Sequence, residues 1–90
     1  MSPQRKLDEL QLLEKHVNRD YNRFGGRSDA WLKDSGVSIW VLVELLDVCE
    51  GDVGRVAQNH GLSSEEMDAV LAYYRRNKHY VDARILLNEA

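Results

Sequence analysis

Leu7, Leu10, Leu13, Val17, Tyr21 and Phe24 recur at steps of three and four residues. That spacing lays them along one face of an amphipathic helix of about five turns. Ser2 and Pro3 suit its N-cap and first helical position, and Gly25-Gly26 stops it. Such a stripe fits either a core or a dimer seam, and Leu7, Leu10, Leu13, Val17 and Tyr21 are the seam candidates. Residues 25 to 36 read as a connection with one apolar anchor, Trp31-Leu32.

The next apolar run, Val37 to Gly51, begins with β-branched residues, but Glu44, Asp47 and Glu50 fall three apart. One narrow polar face on so long a run predicts a mostly buried helix, with room for an extended start at Val37 to Ile39. Asp52 can cap a short helix from Val53 to Asn59. Ser63 and Glu66 then form a capping box, flanked by Leu62 and Met67 at the staple positions. Met67, Val70, Leu71 and Tyr74 continue that helix to a break near Asn77, and Val81, Ile85, Leu86 and Leu87 carry a last one. The expected fold is all-α: a helix-turn-helix-like helical bundle (35–90) with an added N-terminal helix and connection (1–34).

The segment VAQNHGLSSEEM, Val56 to Met67, has the mechanics of a helix-turn-helix. Ala57 permits close helix approach, and Gly61 supplies the positive φ of the tight turn. Val56, Leu62, Met67 and Val70 fill the core between the helices. His60 takes a usually apolar slot, where a partly buried, hydrogen-bonded histidine is expected. A DNA-reading helix meets base edges with its first turns, yet here those turns offer Ser63, Ser64, Glu65, Glu66 and Asp68. Acids in a first turn favour the helix dipole and repel phosphates. The motif therefore reads as a fold without its usual DNA surface.

Charge changes the picture further. The chain has 90 residues and a net charge of −3, against the basic balance usual for nucleic-acid binders. Residues 44 to 68 hold Glu44, Asp47, Glu50, Asp52, Glu65, Glu66 and Asp68 against Arg55 alone. The tail reverses the sign with Arg75, Arg76, Lys78 and Arg84. An acidic middle beside a basic tail suits pairing with a charged protein surface or a second copy, and so short a chain gains from a partner. A homodimer is expected. Cys49 is the only cysteine and reads as a buried thiol. The longest apolar run, Ile39 to Val43, cannot span a bilayer, and the expected setting is cytoplasmic. His16, His60 and His79 lack a metal-binding spacing, no phosphate loop occurs, and neither catalysis, a metal nor a cofactor is expected.

Tyr73, Tyr74 and Tyr80 alternate with Arg75, Arg76, Lys78 and Arg84. Aromatic residues with arginine are common interface currency. These positions, with Ile85, Leu86 and Leu87, are the expected partner-binding set. Arg75, Arg76 and Lys78 are the candidates for phosphate contact if DNA is bound. The alternative is that one tyrosine of each pair packs in the core and the cations form a solvated face.

Gly36-Val37-Ser38-Ile39-Trp40-Val41-Leu42-Val43-Glu44-Leu45-Leu46 resembles the signature of a small prokaryotic family, domain-of-unknown-function family four-three-three, grouped with VapB-like antitoxins. Leu62 to Met67, Ala69 to Tyr74 and Val81 to Ile85 are similar to its later elements in order and spacing, so the likeness runs over about residues 35 to 90. The resemblance implies a helix-turn-helix-like core that binds a PIN-like nuclease toxin and represses the shared operon. The competing readings are a DNA-binding transcriptional regulator and a homo-oligomeric scaffold without a toxin. On the antitoxin reading, removing everything after Tyr74 should abolish a toxin complex and spare the core.

Overall fold

The structure, a computed structural model, describes residues 8–18 and 29–89. The Ser2-Pro3 cap, Leu7, Tyr21, Phe24 and Gly25-Gly26 lie outside those residues. Helix α1, Glu9–His16, starts later than the stripe suggests. Asp8 caps it: its carboxylate accepts from the Gln11 N–H at 2.9 Å, and the Gln11 side chain accepts from the Asp8 N–H at 3.0 Å.

The five-turn helix is corrected at its other end too. Val17 turns extended and opens β1, Val17–Asn18, which pairs antiparallel with β2, Trp31–Leu32, in the register Val17↔Leu32 and Asn18↔Trp31. The physical reason is that a β-branched valine packs as well on a pleated ribbon as on a helix. Facing Leu32 across the ribbon, it is only 2% exposed. From residue 29 onward the connection is structured: the Lys33 N–H donates to the His16 carbonyl, and the Ile39 N–H to the Ala30 carbonyl.

Helix α2, Ile39–Val48, buries Ile39, Leu42, Val43 and Leu46, one face at helical spacing. The extended start is present at Ser38, which bridges Trp31. Helix α3, Val53–His60, is capped by Asp52, whose carboxylate accepts from the Arg55 N–H at 3.0 Å. Helix α4, Ser64–Arg76, carries the expected box: Ser63 Oγ accepts from the Glu66 N–H, and Glu66 from the Ser63 N–H, both at 3.0 Å. Asn77 breaks the run, its side-chain amide donating to the Tyr73 carbonyl, and α5, Lys78–Glu89, follows.

Between α3 and α4, Gly61 has φ 64° and the Leu62 N–H reaches back to the Ala57 carbonyl at 2.8 Å. A side chain is strained at that φ whatever space surrounds it. Gly61→Ala should therefore cost about 1 kcal/mol, read as a lower urea midpoint at unchanged slope. An unshifted midpoint would show that the turn relaxes.

Among the described residues the molecule is five helices and one short ribbon. α4 is central: α1, α2, α3 and α5 all pack on it, and α2 also contacts α3 and α5. Leu13, Val17, Leu32, Ile39, Leu42, Met67, Val70, Tyr73 and Val81 belong to one buried cluster, which draws on both segments of the chain.

Two sets of expected site residues are corrected by that core. Leu13 and Val17 are 2% exposed within the single chain, so these two seam residues are spent on α4 and β2 rather than on a second copy; Leu10 alone of the described seam candidates is exposed. Tyr73, expected at a partner surface, is fully buried. His60 is exposed rather than partly buried, and Cys49 is half-buried at the end of α2. Val81 is also fully buried, so the expectation that the chain could lose everything after Tyr74 and keep its core is corrected as well.

Candidate functional site: the outer face of α5 and its groove

The acids at the start of α4 have an internal use. Glu65 Oε1 lies 2.7 Å from Lys15 Nζ and 2.7 Å from His16 Nε2, at the far end of α1. At the near end, Glu9 receives Arg76 Nε and Arg75 Nε, each at 3.0 Å. Helices α1 and α4 are therefore antiparallel and clasped at both ends. Each carries its acid at its N-terminus and its cations at its C-terminus, as the helix dipoles favour.

The clasp borders the face a helix-turn-helix would offer to base edges, where Ser64 and Asp68 stay exposed. Ser64, Glu65, Asp68, Leu71 and Arg75 line a groove of about 640 Å³ against α1. The three candidate phosphate-binding cations are occupied: Arg75 and Arg76 by Glu9, Lys78 by Asp82.

Those contacts also set the acid response. The Lys15 ammonium, then His16, lowers the Glu65 carboxyl below its ordinary 4.5, and Arg75, then Arg76, does the same for Glu9. A carboxyl lowered in the folded chain contributes stability above its unfolded value and loses it as pH falls through the folded one. Stability should thus drop below pH 4.5, by a small amount because both groups face solvent. The Glu9→Gln, Glu65→Gln chain should show a flatter acid limb in melting temperature against pH. Superimposable limbs would remove the clasp from the account.

Helix α5 is held to the body along one side. Arg84 Nε donates to Asp29 at 3.0 Å, and its guanidinium lies 4.3 Å from the Trp40 ring centre. Asp82 accepts from the Tyr74 hydroxyl at 2.6 Å and pairs with Lys78. The Lys78 ammonium, then the Tyr74 hydroxyl, lowers the Asp82 carboxyl, and Asp82 in turn raises the Tyr74 phenol.

The expected partner-binding set accordingly divides. Tyr73, Tyr74, Arg75, Arg76 and Arg84 act inside the molecule, whereas Tyr80, Leu86 and Leu87 point outward, with Ile85 half-buried between. Leu86 is 68% and Leu87 71% exposed. His79 and Ala83 are exposed on the same side of the helix. Beside it, Val43, Glu44, Asp47, Tyr74, Asp82, Ile85 and Glu89 line a groove of about 290 Å³ between α2 and α5.

Sequence reasoning missed the α2 wall of that groove and the exposed Val48 next to it. The three-residue step from Glu44 to Asp47 was the available signal; it was read only as a polar stripe. Among the described residues no three His, Cys, Asp or Glu side chains form a metal-holding group, and no helix is long and apolar enough to cross a membrane.

The fold and site together define a helical bundle built on a helix-turn-helix whose second helix is clasped by the chain's own first one. The chain matches no protein-family model, no curated protein and no solved structure.

Proposed function

We propose that this chain is an antitoxin-type interaction protein that binds and neutralises a partner, of the PIN-like nuclease class the resemblance implies, through the outer face of α5. The observation that carries the reading is the placement of Tyr80, Leu86 and Leu87. These are three of the five large apolar side chains most exposed among the described residues, the others being Leu10 and Val48, and they share one helix. A contiguous apolar face rimmed by polar residues marks a binding surface more often than an accident of packing. The DNA-regulator reading draws less support, since the would-be reading face carries Glu65 and Asp68 and the candidate cations Arg75, Arg76 and Lys78 are paired internally. A cytoplasmic setting belongs to the same proposal.

Co-expression with the protein encoded beside it tests the reading. Light scattering should give the mass of a stoichiometric complex of the two chains. Elution of this chain at its own mass regardless of the neighbour would overturn it.

A further inference from the structure

We infer that the groove between α2 and α5 seats a basic amphipathic segment of the partner protein. The inference rests on the reading of α5 as a partner-binding helix and specifies the chemistry that meets it. The floor is Val43 from α2, Ile85 from α5 and Tyr74 from α4. The walls are acidic: Glu44 and Asp47 on one side, Asp82 and Glu89 on the other. Asp82 is satisfied by Tyr74 and Lys78, but Glu44, Asp47 and Glu89 have no ion-pair partner among the described residues.

One helical turn beyond an acid of each wall stands an exposed aliphatic side chain. Val48 follows Glu44 by four residues and Leu86 follows Asp82 by four, each on the same helix face as its acid. Each wall therefore runs from acid to aliphatic along its helix, beside the floor. A partner segment that fills the groove needs apolar side chains with lysine or arginine between them. The acids do not form a metal-holding group among the described residues, which leaves a cationic side chain as the occupant their charge favours. A nuclease partner can supply one, because any surface that holds a polyphosphate strand is lined with cations. On that view the groove offers carboxylates where the nuclease would otherwise meet phosphates.

The test uses the full chain and two amphipathic probe peptides of the same leucine pattern, one carrying lysine and the other glutamate at the polar positions. The lysine peptide should bind, with amide shifts concentrated around Val43 to Val48 and Asp82 to Glu89, and the glutamate peptide should not. Glu44→Gln with Asp47→Asn should weaken the lysine peptide about tenfold; circular dichroism should be unchanged, since neither acid holds the fold together. Equal affinity for that variant, or shifts gathered instead in the α1–α4 groove at Glu9, Leu12, Ser64 and Asp68, would overturn the inference. The same variant separates it from the functional reading. A neighbour complex undiminished by neutralisation sinks the groove and spares the antitoxin role. Peptide binding at the groove with no neighbour complex supports the groove and sinks that role.

Discussion

Tyr73→Ala is expected to unfold much of the chain rather than to weaken a complex. The ring is fully buried in the cluster that includes Leu13, Leu42, Met67 and Val81, so its removal leaves a hole in the core. Truncating a buried aromatic side chain costs about 3–5 kcal/mol, against a total of about 5–15 kcal/mol for a domain, and a short chain sits near the lower end. The neighbouring Tyr74, half-buried with its hydroxyl on Asp82, should behave differently: Tyr74→Phe loses one hydrogen bond, about 1 kcal/mol. Urea unfolding followed by circular dichroism separates the two. A Tyr73→Ala midpoint no lower than that of Tyr74→Phe would mean that Tyr73 is not where the core places it.

The opposite pattern is expected for Leu86→Ser combined with Leu87→Ser. Both side chains are solvated in the free chain, so the melting temperature should hold, surface changes usually costing within about 0.5 kcal/mol. Binding should suffer heavily. Burying a leucine against a partner contributes about 1.5–3 kcal/mol, and each 1.4 kcal/mol is about tenfold in affinity, so the pair should cost about a hundredfold or more. Val81→Ser, one helical turn away on the inner face, should instead lower stability because that residue is fully buried. Titration calorimetry against the partner distinguishes them; an unchanged affinity for the double variant would show that the outer face of α5 is idle. Deleting the residues after Tyr74 cannot serve as this control, since it takes away Val81 and the Arg84–Asp29 tie together with the leucines.

What the sequence makes legible is what is decided locally. The Ser63–Glu66 box, the Gly61 turn, the Asp52 cap and the break at Asn77 each depend on residues within a turn of one another, and each stands where it was expected. The length of α1 depends on something distant. Val17 satisfies a helical stripe and a strand equally well, and only the Trp31–Leu32 segment decides between them. Glu65 poses the same difficulty: its partners Lys15 and His16 lie 50 and 49 residues away, so its charge looks unmatched along the chain and is matched in space. At the site, Leu86 and Leu87 were visible as the apolar end of an amphipathic run. That one tyrosine packs in the core is among the readings the sequence allows, and Tyr73 does; that Tyr80 stays exposed was not legible, because the Asn77 break lies between the two. The Glu44–Asp47 wall became a groove only when α5 was laid beside α2.

The most direct test of α5 as the partner-binding helix is amide hydrogen exchange on the chain, free and in complex with its neighbour-encoded partner. Slowed exchange in residues 78 to 89 and at the end of α2, with the first turns of α4 unchanged, is the result this account predicts. Protection at Ser64 to Asp68 with α5 unaltered would contradict it and return the helix-turn-helix to the centre of the function.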